Sequence, residues 1–453
     1  MNLLFPGALA LCALASLLAS IPPARVRSAL AGTALAGAGA AALAAGAAAM
    51  AGRTWSAWLP DLLPLAGVRL ELDALGGLFT AVTGGVITAA AIYSIGYARH
   101  APRTAQILVP LFAAALLLVP AAASVSTFLL LWELMAIASL LLVLADHRAR
   151  PAVRSAGVWY AVLTHLGLVA ILGGLVAFAA AAGGESFAEL RRADAGGALA
   201  IGVFLATFAG FASKAGIVPL HVWLPRAHPE APSHVSALMS AAMVNMGIYG
   251  IVRVGLDLLG GGPRWWWLVV LAAGALSALH GILQAAVASD LKRLLGYSTT
   301  ENMGLVLIGV GAAGFFEASG ERALAALALA AALLHVINHA AFKTLLFLAA
   351  GSVLHGTGTR DLDALGGLRE RMPLTTIVFA LGALCASALP PGNAFVSEWL
   401  MLQSLIRSLP DGGVSAAVVM PLAVAAVALT AGLSAATFVK ALGTGFLARP
   451  RSA

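Results

Sequence analysis

Charge is what this sequence has least of. Lys, Arg, Asp and Glu supply 10% of 453 residues, well under half the roughly 25% of soluble domains. That shortage excludes the two or three soluble domains that length alone would suggest. Cysteine is almost absent. Cys12 and Cys385 stand far apart in apolar runs, which excludes a disulfide framework, a thiolate zinc site and an iron–sulfur cluster. There is no P-loop, dinucleotide fingerprint or haem-attachment motif. No cofactor and no metal is expected in the chain. Ten-residue stretches of alternating polarity are missing as well, which excludes a transmembrane barrel.

What is present is apolar. Hydrophobic residues make up 61% and mean hydropathy is +0.96. Apolar runs of roughly 18 to 25 residues recur along the chain, each long enough to cross a hydrocarbon core of about 30 Å as a helix. Only helices satisfy their backbone within one segment there. The fold class is therefore an all-α polytopic membrane protein of about 13 transmembrane helices. The spans centre near residues 12, 40, 84, 113, 134, 170, 208, 245, 277, 305, 338, 390 and 430. The first lacks a positive leader, with Arg25 and Arg27 after it, and reads as a membrane helix rather than a signal peptide. The stretches 52–73 and 183–196 read as polar loops, and 356–373 as a charged connection.

The net charge of +7 marks cytoplasmic loops rather than a nucleic-acid surface. With the N-terminus outside, fifteen basic residues, Arg148 among them, fall in inside segments, against eight outside. An odd number of spans keeps this alternation. The expected placement is a multi-pass protein of the inner (plasma) membrane, N-terminus outside and C-terminus cytoplasmic.

Two spans are interrupted. The seventh carries AGIVP after Lys214 and then Leu224-Pro225. The twelfth carries Leu389-Pro390-Pro391-Gly392-Asn393. Proline removes a donor and glycine frees φ, so each run is expected to split into half-helices. Broken backbone at membrane depth is tolerated only against protein or a wet cavity. Paired interruptions in two halves point to an inverted repeat and its transport path.

Ionisable residues within the spans are few: Glu133, Lys214, His335, His339, Lys343 and Glu398, with His165, His280 and Lys440. A central charge costs about 2.5–3.5 kcal/mol on insertion scales, so an unpaired set would not persist without use. His335, His339 and Lys343 follow i, i+4, i+8 and share one side of a helix. No carboxylate or thiol near His335 and His339 completes a metal site. Lys440, near a helix end, reads as snorkelling to the interface. His165 and His280 read first as satisfied core histidines. An approach of Glu133 to Lys214 would couple lysine charge to the position of the acid.

Four stretches then carry a resemblance. They are AGIVPLHVWLPRAHPEAPSHVSALMS after Lys214, LKRLLGYSTTENMG after Asp290, VINHAAFKTLLFLAAGSVLHGTGTRDLDALGG after His335, and PPGNAFVSEWLMLQ after Leu389. Together they resemble the antiporter-like membrane subunits of respiratory complex I, multisubunit Na⁺/H⁺ antiporters and membrane-bound hydrogenases. The last two, with VKALGTGFLARPR after Phe438, look most like hydrogenase-4 component B and formate hydrogenlyase membrane subunits. The resemblance covers nearly the whole chain. It implies two inverted five-helix repeats, each with a broken helix: N-terminal helices in 1–107, a first repeat in 108–258 and a second in 265–445. It implies proton transfer by Glu133, Lys214, His335, His339, Lys343 and Glu398. Implied partners are other membrane subunits and a peripheral electron-transfer arm, with protons, or Na⁺, as the transported ion.

The sequence departs from the family pattern twice. A lysine or histidine is usual in the eighth span; here Ser240 and Asn245 stand at the matching positions, leaving water held by them, or His280, as the candidate relay. The pattern also continues with at least one more helix after the thirteenth span. Three functions stay open: a proton-translocating oxidoreductase subunit, an Na⁺/H⁺ antiporter subunit, and a non-pumping membrane anchor.

Overall fold

A chain that must satisfy every backbone group inside hydrocarbon has little choice but helix, and helix dominates the computed structural model, which describes residues 3–21, 23–64, 66–147, 150–407 and 413–451. Arg148, counted among the inside charges, lies outside them. In chain order the helices begin with α1 (Leu4–Ser20), α2 (Ala24–Met50), α3 (Ala74–Tyr97), α4 (Arg103–Leu118), α5 (Val125–Val143), α6 (Pro151–Ala182), α7 (Phe187–Leu190) and α8 (Gly197–Ala215). Then follow α9 (Leu224–Glu230), α10 (Ser233–Leu238), α11 (Val244–Ile251), α12 (Arg264–Val287), α13 (Leu291–Glu317) and α14 (Arg322–Thr357). The series ends with α15 (Leu368–Arg371), α16 (Pro373–Ala386), α17 (Asn393–Arg407) and α18 (Gly413–Leu442). Among the described residues, eleven helical stretches are long and apolar enough to cross a membrane. Leu4–Ser20 and Pro373–Ala386 are apolar but shorter.

Both expected interruptions are present. α8 stops at Gly216, whose φ of +73° is the left-handed conformation that glycine adopts without penalty. A short 3₁₀ turn, Leu220–Trp223, leads into α9. The second interruption separates α16 from α17 across residues 387–392. The eighth span is also irregular: π-helical turns at Met239–Met243 and Val252–Leu258 flank α11.

The chain forms two compact units. One comprises residues 1–214 and 230–260, the other 215–229 and 261–453. In the first, 52–73 is not a loop, as its polarity suggests, but a two-stranded antiparallel hairpin. β1 (Trp55–Leu59) pairs with β2 (Val68–Leu72) in the register Trp55↔Leu72 to Leu59↔Val68. Burial alternates along β2, the period-two pattern of a half-buried strand, too short to stand out beside membrane runs. Likewise 183–196 holds one helical turn, α7, fixed by a capping box between Ser186 and Glu189. The hairpin and this segment together hold the start of α5. Ala123 N–H donates to Arg69 O (3.0 Å) and Val125 N–H to Glu185 O (3.0 Å). The Glu185 carboxylate accepts from Ser126 N (3.1 Å) and Ser126 Oγ (2.8 Å), an anion at a helix N-terminus.

Four charges lock the same unit elsewhere. Arg253, 4% exposed, donates to Asp73 Oδ1 (2.7 Å), Asp257 Oδ2 (2.6 Å) and Tyr249 Oη (3.1 Å). Arg191 donates through two nitrogens to Asp257, at 2.8 and 3.0 Å. Burial disfavours the Asp73 carboxylate, but the hydrogen bond and charge of Arg253, the Gly76 amide and Arg191 outweigh it and hold its pKa below the usual value.

In the second unit α13 is wrapped on all sides and packs most closely on α12, where glycines set the distance. A Cβ on Gly304 would stand 2.4 Å from Ala278 N and 2.6 Å from Gly274 O. Asp290 caps α13 by accepting from Arg293 N (2.9 Å) and pairs with Arg360 (2.5 Å). Leu291 N–H donates to Arg360 O and Leu362 N–H to Ser289 O, both 2.8 Å. The 356–373 connection is thereby stitched to the start of α13. Lys440, expected to reach for the interface, donates to Ala286 O (2.8 Å) and Ala288 O (3.1 Å), a cation on carbonyls at the end of α12.

Gly304→Ala overpacks the α12–α13 contact and should cost about 1–3 kcal/mol. Gly432→Ala, where the added methyl meets nothing within 4 Å, should be neutral; thermal unfolding in detergent compares them. Arg253→Met strands two carboxylates and should cost about 3–5 kcal/mol. The stabilisation from the depressed Asp73 carboxyl is complete above its unfolded pKa of about 3.9 and is lost as pH falls through the folded value. Asp73→Asn should therefore flatten the acid limb of stability against pH.

Candidate proton-transfer clusters

The first unit carries Glu133 and Lys214, and they do not meet. No ion pair within 4.0 Å joins them; Glu133 Oε1 instead lies 3.0 Å from His165 Nε2. The other ring nitrogen of His165, Nδ1, lies 2.7 Å from Ala161 O. A carbonyl only accepts, so Nδ1 carries hydrogen, and the Nε2–Oε1 contact then needs one shared proton. Either an imidazolium faces a carboxylate or a carboxylic acid faces a neutral imidazole. Glu133 Oε2 is buried without a hydrogen-bond partner.

Lys214, 3% exposed, occupies the last turn of α8, where the free carbonyl ends of a half-helix favour a cation. Its Nζ donates to Tyr160 Oη at 3.0 Å. Ser240 and Asn245 are fully buried. Ser240 lies in the π-helical turn. Asn245 Nδ2 donates to Ala241 O (2.8 Å) while its Oδ1 has no partner.

The second unit gathers the rest. His335, His339 and Lys343 lie along α14, all fully buried, as the four-residue spacing predicts. His335 is clamped between two helices: Nε2 is 3.1 Å from Asn302 Oδ1 on α13, and Nδ1 is 2.9 Å from Ser397 Oγ on α17. Asn302 uses its amide to donate to Ser298 O (2.7 Å) and Glu301 Oε2 (3.3 Å), so its oxygen accepts from His335 Nε2–H. Asn338 Nδ2 donates to Ser397 Oγ (3.0 Å) and to Asn393 O (2.9 Å). Residues of α13, α14 and the half-helix after the second interruption thus share one network. Lys343 Nζ donates to Leu295 O (3.1 Å) and interacts electrostatically with Glu301, as Glu301 does with Glu398. Both ring nitrogens of His339 lack a hydrogen-bond partner; buried groups of this kind are commonly met by internal water.

His280 is paired with His221, Nε2 to Nε2 at 3.1 Å, so one imidazole donates and the other accepts. Among the described residues no cluster of three or more His, Cys, Asp or Glu could hold a metal.

Sequence reasoning passed over Glu301, 1% exposed, although the test applied elsewhere, an ionisable residue inside a span, selects it. Ser298, Asn302, Ser397 and Tyr160 do not titrate near neutrality and carried no such signal. Glu133 and Glu301 both stand in the third turn of their helices, each below a capped N-terminus. Asn302→Ala and Ser397→Ala each leave one His335 nitrogen unpaired and should cost about 1–3 kcal/mol. The double variant should cost less than the sum, because both act on one imidazole; thermal unfolding of the three variants checks this.

Against known proteins, the family described as NADH:quinone oxidoreductase/Mrp antiporter, TM matches residues 122–423. An uncharacterised protein of Mycobacterium tuberculosis is 60% identical over 393 residues, 86% of this chain and 61% of that protein. Hydrogenase-4 component B of Escherichia coli is 38% identical over 408 residues, 89% of this chain and 60% of that protein. The chain therefore spans 61% and 60% of the lengths of these two relatives. In respiratory complex I from Thermus thermophilus, a chain superimposes with a TM-score of 0.82 at 22% identity, covering 98% of this chain and 89% of that one.

Proposed function

We propose that this chain, which belongs to the NADH:quinone oxidoreductase/Mrp antiporter family of membrane subunits, translocates protons within a complex I-like or hydrogenase-4/formate hydrogenlyase-like oxidoreductase. The observation that carries the reading is the cluster in the second unit. Glu301, His335, Lys343 and Glu398 are each 6% exposed or less; Glu301 and His335 share a hydrogen-bonded network with hydroxyls and amides, and Lys343 and Glu398 interact electrostatically with Glu301. Charges in such places are costly and default to function. Proton movement needs groups that gain and lose charge near one another, and on this reading these four residues serve as such groups. Glu133 with His165 and Lys214 supply proton-holding groups in the first unit. On this reading the driving reaction belongs to partner subunits: further membrane subunits and a peripheral electron-transfer arm. The similarity to hydrogenase-4 component B over 89% of this chain favours a hydrogenase-type partner. The orientation that goes with this reading has the N-terminus outside and the C-terminus in the cytoplasm, from the bias of basic residues.

The test is redox-driven proton uptake by liposomes containing the purified complex. Lys343→Ala and Lys214→Ala should each lower the initial rate about 100-fold, the scale of losing a proton-transfer group, with electron transfer retained in part. Wild-type uptake by both variants would remove the mechanism. Uptake that needs an Na⁺ gradient and no electron donor would assign the chain to an antiporter instead.

A further inference from the structure

Lys214 is buried at membrane depth, yet its partner is not a carboxylate. Its Nζ lies 3.0 Å from Tyr160 Oη and 5.2 Å from the ring centroid. The ammonium is therefore placed at the hydroxyl end of the phenol and not against the ring face. Tyr160 is fully buried and its hydroxyl is a junction. Ser139 Oγ lies 2.6 Å away, and Met243 Sδ lies 3.4 Å away. Ser139 can donate to the carbonyls of Met135 (2.7 Å) and Ala136 (2.9 Å).

The donors and acceptors of this chain close in two ways. When Lys214 is an ammonium, it donates to Tyr160, Tyr160 donates to Ser139, and Ser139 donates to a helix carbonyl. When Nζ gives up one proton to the transport path, it is left with a lone pair. The Tyr160 O–H then turns to donate to that lone pair, and Ser139 donates to Tyr160 Oη. Both hydroxyl protons turn, and the Ser139 bond to the helix carbonyl is given up. A hydroxyl can serve both states because it both donates and accepts. A carboxylate at the same place only accepts and would hold lysine in its charged form.

We propose that Tyr160, backed by Ser139, is the positioning residue of Lys214, hydrogen-bonding the lysine in its charged and neutral forms alike so that it exchanges protons without moving. This rests on the reading of Lys214 as a proton carrier. Helix α8 packs on α5, α6 and α11, through Phe211 against Trp132, Gly210 against Gly167, and Phe211 against Gly250. The titratable and charged groups on those elements and on the π-helical turns beside α11 are Glu133, Arg154, Tyr160, His165, Tyr249, Arg253 and Asp257. Glu133 is engaged by His165, and Arg253 and Asp257 by each other.

The experiment is the pH–rate profile of proton uptake by liposomes containing the complex, beside thermal unfolding of each variant. Tyr160→Phe keeps the ring and its packing. It should leave the unfolding temperature near wild type and lower the initial rate about 10-fold, the scale of one hydrogen bond to a charged group. It should also move the midpoint of the profile to lower pH, because the ammonium loses a stronger bond than the amine does. Ser139→Ala should move both readouts the same way by less. A Tyr160→Phe complex with wild-type rate and midpoint, beside a Lys214→Ala complex that does not pump, would overturn the proposal and leave the transport role of Lys214 standing. A lower rate that follows a lower unfolding temperature with an unmoved midpoint would make Tyr160 merely structural and overturn it too. Wild-type uptake by Lys214→Ala would sink the underlying reading itself.

Discussion

Hydrocarbon offers no hydrogen-bond partner, and nearly every feature of this structure answers that one constraint. The backbone meets it by becoming helix. Where helices stop at depth, protein groups take over: Ser277 Oγ accepts from the Val218 amide beside the first interruption, and Asn338 donates to the Asn393 carbonyl beside the second. The charges meet it too. Arg253 is surrounded by two carboxylates and a phenol, and Lys440 by the carbonyl end of a helix.

Two classes of buried charge separate on their partners. Arg253 and Arg191 face carboxylates at hydrogen-bonding distance, which fixes their charge and makes them structural ties. Lys214 and Lys343 face neutral oxygens, the Tyr160 hydroxyl and the Leu295 carbonyl, with no direct ion pair to an acid. Neutral partners leave a lysine free to change charge at less expense than an ion pair would. The distinction is physical rather than positional, and under the proposed function it makes the lysines, not the arginines, the candidates for proton exchange.

The elements that hold these side chains are built to keep them still. Helix α5 is tied at its start by the hairpin and by Glu185, and α13 by Asp290 and the 359–363 segment. Close glycine contacts bring α12 against α13 and place Gly281 against the backbone of Glu301. Small residues let helices approach where lipid supplies no hydrophobic drive. Glu133 and Glu301 are thus each carried on a helix fixed at its start.

Much of this was legible from residue order. Apolar runs gave spans, Gly216 with Pro219 and the Pro390-Pro391-Gly392 run gave interruptions, and isolated charges gave Glu133, Lys214, His335, His339, Lys343 and Glu398. Family motifs agreed, and the family match bears out the membership they imply. Other features were not legible. The hairpin at 55–72 was hidden because two five-residue strands look like polar loop beside membrane runs. Glu301 stood among Ser, Thr and Asn in the least apolar of the long spans, where one more polar residue attracts no notice. Sequence alone determined that charges lie in the membrane and on which helices, because the insertion cost of a charge is a local property. Tertiary structure decided whom each charge faces, His165 rather than Lys214 for Glu133 and Tyr160 for Lys214, because a partner is set by helix rotation and packing between segments distant in the chain.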